Sequence, residues 1–223
     1  MRKVYYNPVR KLTLILTLLA LPLLAAMPRA PQQPATLRTA ALESHEGMTI
    51  SALPWMEPSL YKGKFPKKSP FNAGVLAVQV TFRNDSDETV RVDLDRIRLS
   101  VRVDEDNRQQ IEPLSPEQVA DATLSVNRKD PTATRKKFPF PTGAPKTGRN
   151  KDWFEVQKDA QEAAVPSSVV AAHSTVQGLL YFDMQSQFDL LSTAHLYVPN
   201  VLVLEKGHSL LYFEIDLSRA GSS

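Results

Sequence analysis

VLAVQVTFRNDSDETVRVDLDRIRLSVRV, residues 75–103, carries the clearest structural pattern in the chain. Leu76, Val78, Val80 and Phe82 alternate with Ala77, Gln79, Thr81 and Arg83. After the turn-rich Asn84-Asp85-Ser86-Asp87, Val90, Val92 and Leu94 alternate with Thr89, Arg91 and Asp93. Following a break at Asp95, Ile97, Leu99, Val101 and Val103 alternate with Arg96, Arg98, Ser100 and Arg102. An apolar period of two with polar turns marks antiparallel strands that have one dry face and one wet face. The connections are too short for helical crossovers, so the three segments are expected to form a meander or the edge of a sandwich.

Working outward, Met48, Ile50 and Ala52 alternate with Thr49 and Ser51, which starts the ordered domain near Gly47. Pro54-Trp55-Met56-Glu57-Pro58 and the Lys/Pro-rich stretch from Lys62 to Pro70 form a long loop. Ser115-Pro116-Glu117-Gln118 has the N-cap, the first-turn proline and the returning Gln of a capping box, predicting a short helix to about Thr123. Asp152 and Glu155 are placed to cap a second helix, Trp153 to Ala163. Strands return at Thr175 to Met184, Ala194 to Leu204 and Leu211 to Leu217, and the regularity of the last suggests a central position. Six or seven strands with short helices in connecting loops predict a mainly β protein, an antiparallel β-sandwich.

Three of these phrases resemble a known group. They are Leu76-Ala77-Val78-Gln79-Val80-Thr81-Phe82-Arg83-Asn84-Asp85-Ser86-Asp87, Gly178-Leu179-Leu180-Tyr181-Phe182-Asp183, and Leu196-Tyr197-Val198-Pro199 with Leu211-Tyr212-Phe213-Glu214-Ile215-Asp216-Leu217. They look like exported bacterial proteins that carry an immunoglobulin-like, telokin-like domain, in which a strand ending in Asn-Asp-Ser meets a turn. The resemblance covers about a quarter of the chain and brings no catalytic residue with it. It implies an immunoglobulin-like sandwich, an envelope location and a binding or scaffolding role.

Location is also legible in the first 26 residues. Arg2, Lys3, Arg10 and Lys11 precede an uncharged Leu-rich run from Leu12 that closes on the small residues Ala25 and Ala26. This is the build of a secretory signal peptide. The alternative is a retained N-terminal anchor, but the run reaches only Pro28, about 17 residues, and contains Pro22. Residues 27–44 are Pro-, Ala- and Gln-rich and read as a flexible linker. The sandwich domain is then expected over 45–218, with a disordered basic insertion at about 126–150 that carries Pro131, Pro139, Pro141 and Pro145. The chain has no Cys, which removes disulfides, thiolate nucleophiles, Cys zinc sites and a lipoprotein-type lipid anchor together.

Net charge is +3, yet without the four basic residues of the signal the chain holds 23 Lys+Arg against 24 Asp+Glu. Residues 128–151 concentrate eight of those bases against the single acid Asp130, leaving an acidic body with one basic loop. No nucleic-acid role follows from that balance. Within the loop, Arg135, Lys136 and Lys137 stand directly before Phe138 and Phe140. Such a segment suits an anionic lipid surface, an acidic polymer or an envelope protein, and these five residues are the candidate contact. A solvated loop kept soluble by its charges is the simpler alternative.

Other chemistry is weaker. His45, His173, His195 and His208 include no i, i+4 pair; a metal site built from His173, His195 and His208 would need neighbouring strands to bring them together. Asp104-Glu105-Asp106-Asn107 lacks the Gly of a calcium loop and reads as a turn before Ile111. Asp93 and Asp95 share a parity, as paired acids for glycoside chemistry would, but Arg91, Arg96 and Arg98 beside them favour ion pairing. Trp55-Met56 and Trp153-Phe154 read as plugs at the core edges. No nucleophile elbow, phosphate-cradling Gly loop or dinucleotide fingerprint occurs, and only 8 Gly are available. No catalytic, cofactor-binding or metal residue is assigned, and no cofactor. The expected function is a non-enzymatic binding or structural module of the bacterial cell envelope, extracytoplasmic and membrane-anchored if the signal stays. An envelope chaperone using an edge strand, or a hydrolase, is the alternative.

Overall fold

Glu46 and Gly47, both at positive φ (50° and 77°), close a two-residue hairpin between β1 (Ala41–His45) and β2 (Met48–Pro54) in the computed structural model. The structure describes residues 39–103, 107–125 and 149–220. After the short helix α1 (Pro58–Tyr61) come β3 (Val75–Asn84), β4 (Val90–Val92), β5 (Arg98–Arg102) and β6 (Arg108–Ile111). Helices α2 (Pro116–Ser125) and α3 (Lys151–Ala163) precede β7 (Val169–Val170) and β8 (Thr175–Asp183). The chain then runs through β9 (His195–Val198), β10 (Val201–Val203), β11 (His208–Ser209) and β12 (Phe213–Asp216).

The protein is an antiparallel β-sandwich with helices confined to its connections. Three sheets have the orders β1-β2-β3-β8, β11-β10-β4-β7 and β12-β9-β5-β6. One apolar core joins them: Ile50, Val78 and Phe82 of the first sheet lie with Val92 and Val203 of the second and Leu99, Leu196 and Phe213 of the third. Each fully buried side chain of this size is worth roughly 1.5–3 kcal/mol relative to exposure.

Several expectations are corrected. The stretch 75–103 is no meander, because β3, β4 and β5 fall in three different sheets and none pairs with another. Alternation fixes which face is dry, but a strand that crosses the core has the same alternation as one that pairs with its neighbour. The sheet begins at Ala41, inside the stretch read as a linker to residue 44, because β1 pairs along its whole length with β2. β12 is an edge strand, not a central one. The strand count exceeds six or seven because β6, β7, β10 and β11 have only two to four residues, too few for a readable period.

The helices do more than connect. Val75, Ala77, Leu179 and Tyr181 on the outer face of β3 and β8 form a second core with Val119, Ala120, Trp153, Val156 and Ala160. That face was expected to be wet; it becomes so only from Gln79 onward. Ser115 and Gln118 make the reciprocal hydrogen bonds of the predicted capping box (2.7 and 3.3 Å). At α3 the cap is Asn150, whose side chain accepts from the Trp153 N–H at 3.0 Å, rather than Asp152 or Glu155. Trp55 and Trp153 are buried plugs, whereas Met56 and Phe154 are exposed. Gly178 permits the close approach of this layer, since a Cβ there would lie 2.4 Å from Val165 Cα.

Candidate functional site

Sheets two and three are two halves of one interrupted ribbon. Val92 pairs with Val201, and Arg98 pairs with Tyr197. Five residues, 93–97, therefore face only three, 198–200, and the ladder breaks. The longer side takes up its excess in a 3-10 turn, Leu94–Arg96, while Pro199 on the shorter side has no N–H to offer. Asp93 N–H donates to Asn200 O at 3.1 Å across the break. Such irregularities bend strands and re-aim side chains, and they cluster beside functional sites.

A groove of about 520 Å³ lies at this break. Arg91, Asp93, Asp95, Ser168, Asn200 and Ser209 supply its polar lining, and Val92, Leu94 and Leu202 its apolar part. The expected pairing of Asp93 and Asp95 with nearby arginines does not form. Arg98 turns to Glu112 (2.9 Å) and to the carbonyls of Asp95 and Ile97. Arg96 meets the side-chain oxygen of Asn200 at 2.8 Å when that amide is oriented to satisfy both its groups. Among the described residues, the charged ends of Arg91, Asp93 and Asp95 have no ion-pair partner, so the groove presents three uncommitted charges.

The outer face of the third sheet holds a second constellation that sequence reasoning missed. Asp216, His195 and Ser100 stand opposite one another on β12, β9 and β5. Directly opposed residues bring their Cβ atoms to about 5 Å. The order acid, imidazole, hydroxyl is that of a nucleophilic triad, but no hydrogen bond joins the three. Asp216 instead accepts from the Ser218 N–H (3.0 Å) and hydroxyl (2.6 Å) and lies 3.1 Å from Arg219 Nε. These Ser218 bonds, with the charges of His195 and Arg219 adding, hold its carboxyl below the usual carboxylate range. The only sequence signal for this row was strand parity, which does not reveal which strands become neighbours.

The remaining expected residues fall elsewhere. Arg135, Lys136, Lys137, Phe138 and Phe140 lie outside the described residues, as do Asp104, Glu105 and Asp106 and the first 26 residues, expected to be a signal peptide. His173 meets Asp87 at 2.8 Å on a loop, His208 is exposed on β11, and His195 is on β9, so the three do not converge. Among the described residues, no three His, Asp or Glu side chains are placed to hold a metal ion.

No protein-family model matches the chain, and no curated protein does. Among solved structures, the chain is similar to a functionally unknown protein from Listeria monocytogenes EGD-e. The two are 14% identical, with 71% of this chain and 70% of that one covered and a TM-score of 0.33.

Proposed function

We propose that the chain is an exported, non-enzymatic binding module of the bacterial cell envelope, and that its ligand sits in the groove at the ladder break. The observation that supports this reading is the set of uncommitted charges on Arg91, Asp93 and Asp95 in a groove of about 520 Å³. That volume lies within the range of about 300–1,000 Å³ of small-ligand sites. Carboxylates, a guanidinium and an amide beside short apolar side chains suit a polar, hydroxyl-bearing ligand that takes paired hydrogen bonds. The signal-like N-terminus supplies the envelope location. The basic segment Arg135 to Phe140 is a second contact, for an anionic lipid, an acidic polymer or an envelope protein.

The test is a pull-down from solubilised envelope with four forms: the chain from Met27, Asp93→Asn with Asp95→Asn, Arg91→Gln, and a deletion of 128–151. Loss of the captured component with the groove variants supports the groove. Loss only with the deletion transfers the contact to the basic segment. Equal capture by all four forms overturns both assignments.

A further inference from the structure

Arg102 and Arg108 stand directly opposite one another in the β5–β6 register, both exposed on one face of the third sheet. Like charges so opposed across an antiparallel pair destabilise it. Among the described residues, little relieves this. Arg108 has a carboxylate of Glu214 at 4.0 Å, at the limit of an ion pair, and Arg102 has no ion-pair partner among the described residues. A pocket of about 210 Å³ opens beside the pair and is also lined by Ser100, Ser192, His195 and Asp216.

The hydrogen-bonding inventory of that pocket is lopsided. The Ser100 hydroxyl and the His195 imidazole make no hydrogen bond to any described residue. Asp216, the one acid in the lining, is occupied by the Ser218 N–H and hydroxyl and by Arg219, so its charge is spent within its own turn. Two guanidinium forks, an imidazole and a hydroxyl thus face a small space in which, among the described residues, no carboxylate is left to pair with the arginines. Guanidinium groups match the geometry of phosphate and carboxylate oxygens, and a charge-assisted bond of this kind is roughly twice as strong as a neutral one. The volume is below that of drug-sized ligand sites, which suits one compact group and not a polymer repeat.

We propose that this pocket is a phosphate-binding site, with Arg102 and Arg108 gripping the oxyanion and Ser100 and His195 completing its hydrogen bonds. The bound group relieves the repulsion of the arginine pair, so occupancy and stability rise together. This is independent of the groove reading, because the two sites share no lining residue.

The test is titration of inorganic phosphate into the intact chain, followed by amide and side-chain shifts and by thermal unfolding. We expect saturable shifts confined to β5, β6, β9 and the Asp216–Arg219 turn, with Tm rising as phosphate is added. Arg102→Gln with Arg108→Gln should weaken binding more than tenfold, while Arg91→Gln and Asp93→Asn with Asp95→Asn leave it unchanged. Arg102→Gln alone, in phosphate-free buffer, should be at least as stable as the parent, which separates lost binding from lost fold. Competition by phosphatidic acid vesicles would assign the site to a lipid headgroup, and indifference to them would assign it to soluble phosphate. Absence of saturable shifts, or equal binding by the double arginine variant, overturns the proposal.

Discussion

The carboxylate of Glu43 on β1 accepts the backbone N–H of Glu214 on β12, and Glu46 accepts the N–H of Leu211 at 3.0 Å in the same way. These side chains stand where a strand's carbonyls would otherwise be. β1 spends its own backbone on β2, so Glu43 and the hairpin residue Glu46 reach the edge of the third sheet through their side chains. His45, between them in sequence, stacks on Phe213 with ring centroids 3.8 Å apart. The free edge of a terminal strand, which otherwise invites pairing with a second molecule, is covered by charge.

Removing that cover exposes the edge. Glu43→Ala with Glu46→Ala should cost roughly 1–3 kcal/mol for the two bonds together. Hydrogen exchange should accelerate at Glu214 and Leu211, and light scattering at rising concentration should show self-association that the parent lacks. Unchanged exchange at both amides would mean that the carboxylates do not protect the edge.

Asn84 is fully buried and holds the turn after β3 from inside. Its amide donates to the carbonyls of Glu88, Val170 and Ala171, and its oxygen accepts from the Ser86 N–H and hydroxyl. Asn84→Ala leaves several of these groups unpaired and should destabilise by about 3 kcal/mol in urea unfolding. A loss below about 0.5 kcal/mol, the size of an ordinary surface substitution, would show the network to be dispensable.

Gly178→Ala should be comparably harmful for a steric reason. The new methyl meets backbone atoms of Ala164 and Val165 at 2.4–2.6 Å, not a flexible side-chain end. Overpacking against backbone costs about 1–3 kcal/mol. The loss should appear in thermal unfolding, together with shifts at Ala164 and Val165.

Asp216 links stability to pH. Its folded carboxyl is held below the ordinary value, first by the Ser218 hydroxyl. A depressed acid stabilises the fold above the unfolded value, about 3.9, and that contribution is lost as pH falls from there through the folded value. Asp216→Asn should therefore cost stability at neutral pH and flatten the acid limb of the stability profile below about pH 4. Parallel profiles for variant and parent would refute the linkage.

Sequence by itself determined the face each main strand turns to the sandwich core, but not that the helices would dry the outer face at Val75, Ala77, Leu179 and Tyr181. The alternation in Val75–Val103 and Leu211–Leu217, the capping box at Ser115 and the turn after Asn84 are local properties, fixed by φ/ψ preference and by side-chain spacing of two. Partnership is not local. Whether β5 folds back beside β4 or runs on past the break to pair with β9 depends on which apolar faces fill one another across the core, and a period of two is blind to that choice. Hence the opposition of Arg102 with Arg108, the row Ser100–His195–Asp216 and the groove of Asp93 and Asp95 were decided only by the tertiary structure. Each joins residues on different strands, and only packing against a shared core sets which strands meet.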